Sequence, residues 1–340
     1  MHMENKKVCF VYFLPHLSHK GFAEAIGADF CHYHTNFSKF KIPRAIKSIL
    51  GGLTLPKADI YLCEGGAPLL PVWIKKKLNR KALNIELVGD ETFMVLENTP
   101  KELKKNYPWY VNLVHKIVMK EIDGAITVSK MAEESIKKYL DIPTAVVYPY
   151  IEPELYEKLF KVNPKLESSK IVSVGYARPS KGMDILVEAF RIVNKEYKDS
   201  ELFIIGKGHP REWENIKGVH VLGFVPDFVS YFKDCSLFVQ PSRFDTFPVA
   251  TLEALRAGLP VIVTEKTGTK EVVENLGKDF VRKVDPEDIA EGILKYLDLP
   301  LEEKEKLSKK AKELSEPFNK SEMCERFKKE FWKIVQILEL

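Results

Sequence analysis

Residues 241–263 read PSRFDTFPVATLEALRAGLPVIV, a succession of strand end, tight loop, short helix, glycine stop and second apolar strand. Thr246 is a candidate N-cap, and Pro248 falls just inside the helix start, where a missing N–H costs nothing. Gly258 closes the helix and Pro260 keeps it from resuming. Residues 259–263 form a short apolar run suited to a buried parallel strand. Asp245 and Glu253 frame the helix, eight positions apart. Between them lie the unpaired N–H groups of a helix N-terminus, which favour an anion. A carboxylate at each end of a phosphate-sized site suits a ligand with hydroxyls on both sides of a phosphate, the layout of a sugar nucleotide. A surface helix with two solvated acids would read the same way.

The same strand–helix alternation runs through the whole chain. Strands are predicted at 7–14, 58–63, 83–88, 124–128 and 144–148, and again at 170–174, 202–205, 219–222, 236–239, 259–263 and 280–284. Helices are predicted from Phe22, over 72–81 and 111–122, from a Ser129 cap to Tyr139, over 183–197, and at 288–297, 302–314 and 321–338. This spacing implies parallel, right-handed, doubly wound sheets. Pro149, Pro153 and Pro164 punctuate a polar stretch that reads as an interdomain connection. The boundaries are therefore 1–148 for a first domain and 149–320 for a second, with 321–340 as a final helix.

With 340 residues, two domains of ordinary size fit. No apolar run reaches the roughly 18 residues that span a bilayer. The five cysteines are scattered without metal spacing, as expected of buried thiols in a reducing compartment. These features point to a cytoplasmic protein, free or held at the cytoplasmic face of a membrane. Residues 1–148 carry 21 Lys and Arg against 15 Asp and Glu, a net charge of +6, although the whole chain carries +4. A basic first half suits an anionic partner or is an ordinary uneven surface. Residues 37–53 and 109–120 mix cations with apolar residues. They either lie on an anionic membrane or pack on the sheet with lysines facing solvent. The loop after the first strand holds His16, His19 and Lys20, at the sheet edge where open α/β folds bind ligands.

Several chemistries are excluded. No GxxxxGK[ST] phosphate loop occurs, and Gly206-x-Gly208 lacks the third glycine of a dinucleotide site. No HExxH or Cys/His cluster marks a zinc enzyme. His115, His209 and His220 are isolated and read as structural or exposed.

The second half resembles the donor domain of the retaining glycosyltransferases of family 4, which have the GT-B fold. Gly175 followed by Lys181-Gly182, the strand end Gly206-x-Gly208, LGFVPD at 222–227, the strand before the acids, Asp245 with Glu253, and the segments 257–261 and 268–271 follow the family's order over roughly 100 residues. Across 1–148 the likeness is only to the fold. The resemblance implies two Rossmann-like domains facing across a cleft, with the last helix crossing back to the first domain. It implies transfer of a sugar from a nucleotide-sugar donor to a hydroxyl of a glycan or lipid-phosphate acceptor. Neither metal, cofactor nor nucleic acid is implied.

By the same resemblance, Glu253 holds ribose hydroxyls, Asp245 contacts the donor sugar, and the N–H groups of Val249 and Ala250 bind diphosphate. Lys181 neutralises the leaving group, Phe224 and Val225 line the base, and Gly175, Gly206 and Gly208 admit the nucleotide. The chain departs from the pattern in places. Tyr176 stands where arginine is usual, with Arg178 two positions on to supply the charge. Asp245 replaces a glutamate, and Phe247-Pro248 replaces phenylalanine-glycine. The histidine common after the strand at 83–88 is absent. Asp90 or Glu91 would face the donor sugar there, and Asp90 is the favoured candidate, although a helix-capping acid has the same look. Two further readings stand beside transfer: another GT-B enzyme, such as an epimerase or sugar-phosphate synthase, and a sugar-nucleotide sensor without catalysis.

Overall fold

A computed structural model describes residues 6–13, 17–33, 44–89 and 117–340. They form two compact units, Met1–Pro149 with Lys320–Leu340, and Tyr150–Asn319.

Unit 1 holds β1 (Val8–Tyr12), α1 (Leu17–Ala25), β2 (Asp29–His32), α2 (Arg44–Thr54), β3 (Ile60–Glu64), α3 (Gly66–Leu78), β4 (Leu83–Val88), β5 (Gly124–Thr127), α4 (Lys130–Lys137) and β6 (Thr144–Val146). Its sheet has the order β2-β1-β3-β4-β5-β6 and every pairing is parallel. Apolar runs such as Val8–Val11 and Ile60–Cys63 are sealed on both faces, as a parallel sheet covered by helices requires. Ser129 caps α4, accepting from the Ala132 N–H at 3.1 Å.

Unit 2 continues with α5 (Pro153–Phe160), β7 (Lys170–Val174), α6 (Met183–Glu196), β8 (Glu201–Ile205), β9 (Val219–Gly223), α7 (Val229–Asp234), β10 (Leu237–Gln240), α8 (Val249–Arg256), β11 (Val261–Thr264), α9 (Lys270–Val273), β12 (Val281–Arg282), α10 (Pro286–Leu297) and α11 (Leu301–Ser315). Its sheet runs β12-β11-β10-β7-β8-β9, again all parallel. Counted within the unit, that is the doubly wound order 3-2-1-4-5-6, and its direction reverses between β7 and β10.

The last helix, α12 (Lys320–Leu338), packs in unit 1 against α1, β5 and β6. Phe327 stacks on Phe22 with ring centroids 4.4 Å apart. Gly124 makes room for Ile334, which would lie 2.6 Å from a Cβ there.

Some element limits differ from the sequence reading. The lysine-rich helix predicted over 72–81 begins at Gly66 and ends at Leu78. Pro68 sits in its first turn, where no N–H is needed, and Pro71 is carried inside. The strand predicted at 280–284 is only Val281–Arg282, preceded by a 3₁₀ turn. β2 escaped notice because Asp29–His32 is an edge strand with no buried residue and no apolar alternation.

Candidate active site

The reversal point of the unit 2 sheet brings two loops into contact. After β7 the chain makes a 3₁₀ turn, Pro179–Lys181, and Gly182 then opens α6 with φ 65°. A Cβ on Gly182 would lie 2.0 Å from the Pro241 carbonyl oxygen, so only glycine lets this loop touch the one after β10. The Phe244 N–H donates to the Ser180 carbonyl at 3.2 Å. Arg243 holds Asp184 with both guanidinium arms, at 2.7 and 2.6 Å, and donates to the Pro179 carbonyl at 3.0 Å. These ties bring Lys181 and Asp245 together as an ion pair. Asp245 is buried, at 8% exposure. Its backbone is fixed to the loop after β11: its N–H donates to Lys266 at 3.1 Å, and its carbonyl accepts from the Gly268 N–H at 2.9 Å.

Four residues on, α8 begins. The expected cap is absent: Pro248, not Thr246, occupies the N-cap position, and no side chain caps the helix. Proline fixes the entry angle at φ −67° but brings no oxygen to accept a bond. The N–H groups of Val249 and Ala250 therefore have no acceptor among the described residues. No acid occupies the first turn, so the positive end of the helix is left for an external anion. One turn further in, Glu253 is half-buried and its carboxylate has no hydrogen bond or ion pair among the described residues. Burial pushes its carboxyl up to about 7.

The neighbouring strand ends supply glycine. Gly206 has φ 146°, and a Cβ there would lie 1.8 Å from the Gly175 carbonyl oxygen. Gly208 has φ 91°. Of the two readings the sequence left for His209, structural or exposed, the structure gives the first: it is 7% exposed and its Nε2 lies 2.8 Å from the Gly175 carbonyl oxygen. It therefore ties the two glycine loops together. Spacing alone gave no sign of this role. Phe224 is 59% exposed at the end of β9, with the Lys207 ammonium 4.8 Å from its ring centroid, while Val225 is half-buried. Arg178 and Tyr176 are both exposed, and the Arg178 guanidinium has no partner among the described residues.

Unit 1 has its own cluster at the carboxyl end of its sheet. Glu64 accepts from the Phe13 N–H at 3.0 Å through Oε2, and its Oε1 lies 3.2 Å from His19 Nδ1. Glu64 was not singled out from the sequence, although Glu64-Gly65-Gly66 after a strand was a usable signal. Lys20 is exposed. His16, Asp90 and Glu91 lie outside the described residues. Among the described residues no group of three or more His, Cys, Asp and Glu could hold a metal ion. No described helix is long and apolar enough to cross a membrane.

Two parallel doubly wound sheets define an α/β protein with the GT-B fold. Residues 156–314 match the family model described as glycosyl transferases, group 1. An uncharacterized glycosyltransferase of Haemophilus influenzae is 27% identical over 57% of this chain and 63% of its own. A Campylobacter jejuni relative, the N,N'-diacetylbacillosaminyl-diphospho-undecaprenol alpha-1,3-N-acetylgalactosaminyltransferase, is 29% identical over 45% of this chain and 40% of its own. The chain thus spans less than two thirds of the length of these relatives. Anabaena HepE, solved in complex with UDP and glucose, shares the fold with a TM-score of 0.69 at 14% identity, over 97% of this chain and all of that one.

Proposed function

We propose that this protein is a retaining, metal-independent glycosyltransferase of family 4 that uses a nucleotide-sugar donor. One observation carries the reading. The Lys181–Asp245 pair stands where the unit 2 sheet reverses, four residues before a helix whose first N–H groups are open. In this reading the diphosphate lies on the Val249 and Ala250 N–H groups and draws Lys181, with Arg178 as a second cation. The ribose hydroxyls donate to Glu253. Asp245 faces the sugar, and Phe224 with Val225 flanks the base. The bond from the anomeric carbon to the diphosphate oxygen breaks, and its electron pair leaves with the nucleotide. Fixed N–H donors and a cation stabilise that developing charge without reorganising. The acceptor hydroxyl bonds to the anomeric carbon on the same face, and its proton passes to the departing phosphate.

The match of residues 156–314 to the group 1 model and the names of the relatives favour a hexose or N-acetylhexosamine donor and a glycan or lipid-phosphate acceptor. The five free cysteines favour a reducing, cytoplasmic setting. Incubation with UDP-, GDP- and ADP-sugars in EDTA, with and without lipid extract, tests the reading. Acceptor-dependent nucleotide release with the anomeric configuration kept is expected. Inversion, epimerised sugar, or tight binding without turnover would overturn it.

A further inference from the structure

α2 is packed with its small residues inward and its large apolar residues toward water. Its sequence is RAIKSILGGLT. Ser48, Gly51 and Gly52 are buried. A Cβ on Gly52 would lie 2.7 Å from the Pro71 carbonyl oxygen and 2.9 Å from Ile74 Cβ, so the glycine allows α2 to lie directly on the backbone of α3. The consequence is on the other side. Ile46, Ile49 and Leu53 are 45%, 45% and 52% exposed. Their spacing of three and four places them on one stripe of the helix. Single exposed apolar residues are common on protein surfaces, but a stripe on a helix that buries serine and glycine instead is not.

The stripe adjoins positive charge. Lys75 of α3 donates to the Leu53 carbonyl at 3.4 Å, while Lys76 and Lys77, the other cations of that last turn, are paired with Asp123 and Glu121, each at 2.6 Å. Leu78, the next residue, is 66% exposed. An apolar stripe beside Lys75, on the half of the chain with 21 basic and 15 acidic residues, matches the chemistry of an anionic lipid surface. We propose that α2 is a membrane-docking helix: Ile46, Ile49 and Leu53 enter the acyl boundary of an anionic bilayer, and Lys75 meets its headgroups. A second copy of the chain is the poorer occupant, because a two-fold contact would set Lys75 and the net positive charge of residues 1–148 against their own copies. The surface lies in unit 1 and does not depend on the donor-site assignment.

Sedimentation of the full chain with vesicles tests this without any donor. Vesicles of phosphatidylcholine with about a third phosphatidylglycerol should bind about tenfold or more tightly than phosphatidylcholine alone. Binding should fall severalfold at about 0.5 M salt, where the Debye length is ~4 Å. The variant carrying Ile46→Ser, Ile49→Ser and Leu53→Ser should lose about tenfold or more of the binding. Its thermal melting should hold, because those side chains already meet water. Lys75→Glu should weaken binding to anionic vesicles only. The proposal fails if the triple variant binds as well as the parent, or if neutral vesicles bind equally. It also fails if the triple variant melts markedly lower, or if sedimentation velocity shows a dimer that the three substitutions dissociate.

Discussion

The carboxyl ends of the two sheets are built from different materials. In unit 2 the edge is mostly backbone. Gly182, Gly206, Gly208 and Gly223 all have positive φ, so that strand ends can touch and N–H groups can face a ligand. Among the described residues two charged pairs, Lys181 with Asp245 and Arg243 with Asp184, tie the segments at the reversal point. In unit 1 the described edge centres on a side chain: the Glu64 carboxylate accepts from the Phe13 backbone N–H and stands beside His19. An edge of open N–H groups can take an anion without rearrangement. An edge whose carboxylate is already occupied must exchange partners first.

That contrast breaks most sharply at the cation. Lys181→Ala should lower transfer by about 10²- to 10³-fold, the usual cost of losing one fixed stabiliser of developing charge. Lys57→Ala, at an exposed lysine before β3 of unit 1, should change turnover less than about twofold. Asp245→Asn should abolish transfer yet leave nucleoside diphosphate binding intact or tighter, because Lys181 is then released to the phosphate. Turnover assays beside calorimetric titration with UDP, GDP and ADP separate the two effects. Weaker diphosphate binding in Asp245→Asn would show that the ion pair shapes the site and is not exchanged for phosphate.

The next largest effect is on folding. In Gly206→Ala the new Cβ would lie 1.8 Å from the Gly175 oxygen at φ 146°. The contact and the backbone strain together should cost about 3 kcal/mol. Gly27 in unit 1 also has positive φ, at 67°, but nothing lies within 4 Å of its Cβ position. Gly27→Ala should therefore cost only the conformational penalty, about 1–2 kcal/mol. Urea unfolding of both variants measures the difference. Equal losses would mean that the close approach of β7 and β8 is not what selects glycine at position 206.

The same contrast explains what could be read from the sequence. The unit 2 strands announced themselves because fully buried parallel strands are unbroken apolar runs, as in Leu237–Val239, all at 0% exposure. Glycines at strand ends and the two acids marked their loops, because backbone demands restrict residue type. The contact between Lys181 and Asp245 was not legible: 64 residues separate them, and only the strand order joins them. The cap of α8 was misplaced because Thr246 and Pro248 both satisfy local rules, and the folded loop chose proline. The partners of His209 and Glu64 were not legible for a related reason. Their contacts depend on which strand lies beside them: the strand end before Gly65-Gly66 could flag Glu64, but not its partners Phe13 and His19. The exposed stripe of α2 was seen as an amphipathic segment, but which face packs inward is decided by Gly51 and Gly52 against α3.

The smallest effect is the most discriminating, because it compares two glutamates. Glu64 already carries a hydrogen bond, whereas Glu253 has none and burial raises its carboxyl to about 7. Between the ordinary carboxylate range and that value, the folded protein binds more protons at Glu253 than the unfolded chain does. Stability therefore falls as pH rises through that window, and Glu253→Gln should recover about 1–2 kcal/mol at pH 8. A ligand hydroxyl that donates to the carboxylate favours its charged form, so binding must release a proton. Affinity for a nucleoside should then rise as pH climbs from about 5 to about 7 and level off above, by about tenfold in all. Nucleosides are the right probe because they carry no phosphate that titrates in the same range. In Glu253→Gln the pH slope should vanish and the affinity should settle near the low-pH value of the parent. Glu64→Gln should leave the slope unchanged. A slope that survives Glu253→Gln would place the titrating group elsewhere, and would remove Glu253 from the ribose.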